Sequence, residues 1–126
     1  MATLDELYQR GAEIERRLWG NKRKEDIGPM AQLAPEIDEL VTTFIFGGLW
    51  TRKALDIRTR SLVTIALLTS MNVHSQVRRH IRGALGLGIS KEEIIEVICH
   101  AGFYTGPSKM NEALGIAREL FGLPNP

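Results

Sequence analysis

Sulfur is nearly missing from the side chains that could do redox chemistry: of the 126 residues only Cys99 is a cysteine. One thiol cannot close an intrachain disulfide, which fits a reducing compartment. A bias of charge is missing too. Sixteen Lys and Arg against fifteen Asp and Glu leave a net charge of +1 and a pI near 7.9, so no global field points to nucleic acid or a membrane surface as a partner. No apolar run reaches the roughly 20 residues that cross a bilayer. The start of the chain, MATLDELYQRGAEIERRLWG, is charged and amphipathic and has no apolar secretory core. These absences set the expectation of a cytoplasmic protein. Alternating strand patterns, hairpin dipeptides, internal repeats and low-complexity segments are likewise not found. What remains is ordinary for a globular chain, with 44% hydrophobic and 25% charged residues. The length suits a single domain over residues 1–126.

Helical signals follow one another along the chain. Thr3 followed by Glu6 reads as a capping box opening a helix over about Leu4 to Trp19. The polar stretch Gly20 to Gly28, with its charged cluster Lys22 to Asp26, reads as a solvated connection. Pro35 suits the first position of a second helix, with Glu36, Asp38 and Glu39 near its positive end. Its apolar positions are Ile37, Leu40, Val41, Phe44 and Ile45, and Gly47 and Gly48 are expected to stop it. Leu49 to Leu55 is a connector, and Asp56 is the expected N-cap of the next helix. Later, Ser90 with Glu93 forms a second capping box, for a helix reaching about Phe103 or Tyr104. Gly106-Pro107 then breaks the chain before a last helix rich in apolar residues, and Pro124 and Pro126 form a tail. The fold expected is all-α, with about six helices.

The chain is organised around Asp56 to Leu87, DIRTRSLVTIALLTSMNVHSQVRRHIRGALGL. Between Ser61 and Met71, Leu62, Val63, Ile65, Ala66, Leu67, Leu68 and Met71 cover more than one helical face, as expected of a helix covered on most sides. Beyond Asn72 the pattern becomes amphipathic. Val73, Val77, Ile81 and Ala84 form one stripe, with Arg78, Arg79 and Arg82 mostly off it. His80, three residues after Val77 and four before Ala84, falls on or beside the inward stripe. The two helices together make a central hairpin.

Familiar catalytic signatures do not accompany it. His74, His80 and His100 form neither H-E-x-x-H nor part of a thiolate cluster, so no metal site is expected. No phosphate-binding G-x-x-x-x-G-K-[ST] loop is present. The glycines of Gly83 to Gly88 lack the preceding strand of a dinucleotide site and read as a helix end. No serine sits in a nucleophile elbow.

Four segments carry a resemblance. The run W-T-R-x-x-L-D-x-R-T-R from Trp50 to Arg60, H-x-R at His80 to Arg82, GISKEEIIEVICH from Gly88 to His100, and Y-x-G with the later Asn111 resemble the carboxymuconolactone decarboxylase family in order and spacing, from about Gly47 to Phe121. The resemblance implies an AhpD-like helical bundle assembled as a homo-oligomer, a trimer or hexamer. It implies a carboxy-lyase that needs no cofactor and converts a carboxylated unsaturated lactone to an enol-lactone and CO2 in aromatic catabolism. The wider superfamily includes an alkylhydroperoxidase branch with a C-x-x-C pair before the histidine that His80 resembles. Val73 and Gln76 stand at those two positions here, and Ser61 stands where that branch carries a helper glutamate. A peroxidase cycle needs an attacking thiolate and a resolving thiol, so that reading is disfavoured. The chain also departs from the decarboxylase pattern at Gly48, at Gln76 and in the turn GPSKMN, where Lys109 occupies a place usually taken by a small residue. A helical small-molecule-binding protein that kept the fold without the reaction is the reading from a different class.

Decarboxylation of such a lactone needs three things: a held carboxylate, stabilisation of the carbonyl as it gains charge, and delivery of a proton to carbon. The resemblance makes His80 the catalytic candidate, as proton donor or carbonyl polariser. It makes Arg52 the first carboxylate ligand, with Arg78 and Arg82 behind it. Trp50, His100 and Tyr104 complete the substrate-binding set. Read from pattern alone, these residues are plainer. A histidine beside an apolar stripe is first a structural residue. His100, four residues after Glu96, reads as half of a helix side-chain pair, Trp50 and Phe46 read as wall or interface, and Cys99 as a small buried apolar group. Oligomerisation has separate support, because the central and last helices carry apolar residues on more sides than so small a domain can cover.

Overall fold

The computed structural model describes residues 1–21 and 27–124. The charged cluster Lys22 to Asp26 and the terminal Pro126 lie outside the described residues. Every regular element described is helical, as expected, and the chain divides into two compact units, Met1–Ile57 and Arg58–Pro126. Among the described residues no helix is long and apolar enough to cross a membrane.

In the first unit, α1 spans Leu4–Trp19. The Thr3 hydroxyl accepts from the Glu6 amide at 3.1 Å, which satisfies one of the free donors of the first turn. Asp5 and Glu6 at the start, and Arg16 and Arg17 at the end, match the helix dipole. Gly20 ends the helix at a φ of 74°. Next come α2 (Pro29–Leu33) and α3 (Pro35–Leu40), each with proline in its first turn. The short α2 was not expected: none of its residues is buried, so it leaves no apolar periodicity to read.

From α3 the chain continues directly into a π-helical segment, Val41–Leu49, in which the wider spacing shows in the Trp50 amide donating to the Ile45 carbonyl at 2.9 Å. Here the expectation that Gly47 and Gly48 stop the helix fails. Neither has a positive φ, unlike Gly20, Gly88, Gly106 and Gly122. Gly47 is a point of close approach instead. A Cβ on it would overlap the Leu7 carbonyl oxygen, and one on Gly11 of α1 would overlap the Thr42 carbonyl oxygen. Trp19, Phe46 and Trp50 pack beside this contact, with ring centroids 5.6 Å apart for the first pair and 5.3 Å for the second.

The second unit is built from α4 (Ile57–Met71), α5 (His74–Gly86), α6 (Lys91–Thr105) and α7 (Pro107–Leu120). The first begins directly after Asp56, where the N-cap was expected. Asn72, at a φ of 59°, turns the chain from α4 into α5, a conformation that asparagine tolerates better than most residues. Gly88 at 81° closes α5, and both halves of the Ser90–Glu93 capping box are present. Glu93 also pairs with Arg58 in the first turn of α4. Gly106, at a φ of 127°, and Pro107 separate α6 from α7 as read.

Ile65, Val77, Ile81, Ala84, Ile89, Ile94, Ile98, Ala113, Ile116 and Ala117 form the core. They come from all four helices and, at Ile89, from the turn between α5 and α6, so each of the four is tied to the same apolar centre. Two expectations change in the process. The buried residues of α4 are Ser61, Ile65 and Thr69, one narrow face, while Val63, Leu67 and Met71 keep 45%, 57% and 68% of their surface. On α7 the apolar residues are instead largely covered, because Leu114 and Leu120 pack against the core beside Ala113, Ile116 and Ala117.

Candidate functional site

His80 sits where the amphipathic pattern placed it. On α5 it is flanked by Val77, Ile81 and Ala84, all essentially buried, and it retains 7% of its own surface. Burial, with a smaller contribution from the neighbouring Arg79 charge, pushes its pKa from 6.5 down to about 4. An imidazole so placed is neutral at pH 7, with one N–H to donate and one lone pair to accept. It can polarise a carbonyl or pass a proton along, and as a neutral ring it is a poor source of an acidic proton.

The arginines of α5 do not point the same way. Residues two positions apart on an α-helix are about 200° apart around the axis, so Arg78 and Arg82 leave α5 on the side opposite His80. Arg78 already has a partner: its guanidinium donates to the Glu119 carboxylate of α7 at 2.7 Å. Arg82 is exposed. In the first unit, Trp50 keeps 6% of its surface and packs on Phe46. Arg52 follows it in an exposed turn, its amide donating to the Leu49 carbonyl at 3.1 Å.

His100 and Tyr104 come together. One helical turn apart on α6, their rings lie 5.3 Å apart, inclined at 33°. Both line a hollow of about 400 Å³ whose opposite wall is Val63, Ala66, Leu67 and Ser70 of α4. His80 does not line this hollow, nor a second one of about 480 Å³ along α7 that includes Asn111, Arg118 and Glu119. The structure therefore assembles the sequence candidates into separate places. There is a buried imidazole on α5, an arginine paired across to α7, and an imidazole–phenol pair in an apolar hollow.

Lys109, a departure from the family pattern in sequence, makes a contact that its spacing does not encode. Its ammonium donates to the Ser70 carbonyl, at the end of α4, at 2.9 Å. A lysine in the first turn of a helix opposes that helix's dipole, which was the available signal that its charge is used elsewhere. At the positions of the peroxidase-type pair, Val73 is half-buried and Gln76 exposed, and Cys99 is partly buried on α6. Ser61, in the helper-glutamate position, is fully buried.

An all-helical chain with a buried neutral histidine after the W-T-R-x-x-L-D-x-R-T-R segment defines a class that comparison with known proteins makes explicit. Residues 35–119 match the carboxymuconolactone decarboxylase family, and the chain belongs to it. It is 30% identical over 118 residues to 4-carboxymuconolactone decarboxylase of Acinetobacter baylyi, covering 93% of this chain and 88% of that protein. It is 29% identical over 123 residues to nitrosuccinic acid decarboxylase npaB of Metarhizium robertsii, covering 94% and 86%. An uncharacterised 15.0 kDa protein of Paracoccus denitrificans is 31% identical over 118 residues, with 92% and 88% covered. The family and the two relatives named as decarboxylases support a carboxy-lyase type of activity.

Proposed function

We propose that the protein is a cofactor-independent decarboxylase of a small polycarboxylate whose own conjugated acceptor takes up the electron pair. The first substrate to test is 4-carboxymuconolactone, giving 3-oxoadipate enol-lactone and CO2. The two decarboxylase relatives are named for a carboxylated lactone and for a nitro diacid. Both compounds hold an electron-withdrawing group that can accept the pair released when the bond to the carboxylate breaks. In the lactone that pair moves through the double bond onto the carbonyl oxygen, CO2 departs, and a proton from solvent ends on carbon.

The observation that carries this reading is His80, buried and held neutral well below pH 7. Its N–H is suited to bonding the carbonyl oxygen as that oxygen becomes anionic, the stage at which a positioned donor is worth most. Arg52 is the proposed carboxylate ligand, and Trp50 is a proposed wall. Arg78 and Arg82 are weaker choices because both leave α5 on the side away from His80. Self-association belongs to the same proposal. Ile37, Leu40 and Phe44 keep 51%, 47% and 51% of their surface, an apolar stripe of the kind that a second copy covers.

The test is turnover of 4-carboxymuconolactone by His80→Ala and His80→Gln, with circular dichroism to confirm folding. Loss of one donor to a developing oxyanion costs roughly 100-fold or more in kcat. Turnover equal to the unmodified protein removes His80 from the reaction. Thiol-dependent peroxide consumption is expected to be absent, because Cys99 has no partner thiol in the sequence.

A further inference from the structure

The hollow between α4 and α6 is not explained by chemistry at His80, which does not line it. Its walls are unlike each other. On the α4 side Val63 and Leu67 are apolar and exposed to 45% and 57%. On the α6 side His100 and Tyr104 add two flat rings with polar tips, and Tyr104 is exposed to 82%. The space of about 400 Å³ is shallow and open to solvent, so it offers a surface for one face and one edge of a small molecule. Flat rings beside aliphatic side chains suit a planar apolar body, which can lie against Tyr104 with one edge on Val63 and Leu67.

The charge at one end decides the rest of the ligand. Ser70 and Thr105, which lie in the last turns of α4 and α6, both line the hollow. The Lys109 ammonium, four residues beyond Thr105, is hydrogen-bonded to the Ser70 carbonyl. That bond uses one of its three N–H donors. The negative end of α4 offsets about half a unit of its charge, so a net positive charge with spare donors is fixed beside this end of the hollow. Lys109, Glu96 and Glu112 all stand outside the lining, and of the three Lys109 is tied to a lining residue, through the Ser70 carbonyl.

We propose that this hollow is a binding site for a planar organic monocarboxylate, its ring between the α4 aliphatic side chains and Tyr104 and its carboxylate on the Lys109 ammonium. The site does not depend on the decarboxylase reading and needs neither His80 nor turnover.

Titration of the intact protein with trans-cinnamate and with its neutral amide, cinnamamide, followed by two-dimensional amide NMR, tests it. Cinnamate is expected to shift the amides of residues 63–70 and 100–105 saturably, and to bind at least tenfold more tightly than cinnamamide. Lys109→Gln is expected to bring the two affinities together, and Leu67→Trp, which fills the space, to abolish both. Equal affinities in the unmodified protein, shifts confined to other residues, or no saturable shift would overturn the proposal. So would light scattering that shows an oligomer whose amide protection covers residues 63–70 and 100–105, since a second copy would then occupy the hollow. The comparison of acid with amide needs no variant, so it stands even if Lys109→Gln does not fold.

Discussion

Gly11 of α1 and Gly47 of the π-helical segment bring their two backbones into contact, each glycine lying where a Cβ would overlap a carbonyl oxygen of the opposite element. The overlapped atoms are backbone and cannot move aside as a flexible side chain would. Gly11→Ala or Gly47→Ala must therefore push the two helices apart and loosen the adjoining Trp19–Phe46–Trp50 cluster. A loss of about 3 kcal/mol or more is expected from urea unfolding, beyond the usual cost of overpacking. Gly48→Ala is the contrast. Its nearest neighbour would be the Thr43 carbonyl oxygen at 3.8 Å, so it should be neutral or stabilising by about 0.5–1 kcal/mol.

This contact explains where the sequence misleads. Two glycines after an apolar run normally mark a helix end, because one of them takes a positive φ. Gly20, Gly88 and Gly106 do so, and the boundaries beside them were legible. Gly47 is glycine for a different reason, the proximity of α1, and nothing within its own segment encodes that. The Thr3 cap, the complete Ser90–Glu93 capping box, the break at Asn72 and the inward face of His80 depend on spacing within one helix, and are readable for that reason. The hollow beside His100 and Tyr104 depends on which α4 residues stand opposite. The pairing of Arg78 with Glu119 depends on a contact 41 residues away in the chain. Periodicity carries neither.

The Arg78–Glu119 pair links α5 to α7 at the surface, with side chains 35% and 63% exposed. An ion pair this exposed is worth less than about 1 kcal/mol, so Glu119→Gln should alter stability only slightly. If Arg78 is a structural link rather than a carboxylate ligand, Arg78→Gln should likewise leave KM for a carboxylated substrate nearly unchanged, while Arg52→Gln raises it severalfold. Steady-state kinetics on the two variants decides. A KM raised most by Arg78→Gln would return that residue to the substrate site.

The apolar stripe Ile37, Leu40 and Phe44 predicts a species larger than a monomer at micromolar concentration by size-exclusion chromatography with light scattering. Charge placed in the stripe, as in Ile37→Glu with Phe44→Glu, should shift the protein toward monomer without loss of helicity, because both positions are about half exposed within one chain. A monomeric unmodified protein, or no change in mass on double substitution, counts against assembly through this face.

His80 gives the protein a pH dependence whose sign follows from its burial. Its pKa is about 4 when folded, against 6.5 for an unperturbed histidine, so between these values the unfolded chain binds a proton that the folded chain does not. Stability from this group is thus fully present above about pH 6.5 and falls as the pH drops toward 4, by up to ~3 kcal/mol across the window. Urea unfolding of the unmodified protein and of His80→Gln at pH 7.5, 5.5 and 4.5 isolates the effect, since glutamine does not titrate and the exposed His74 and His100 are common to both. The difference in stability between the two proteins should narrow or reverse as the pH falls. For catalysis the same shift predicts a kcat/KM that shows no His80 titration from pH 8 down to about 5, because the free protein keeps the imidazole neutral throughout. An NMR titration placing the His80 ring near 6.5 would contradict both expectations at once, and would make the ring an acid able to give up its proton near neutrality.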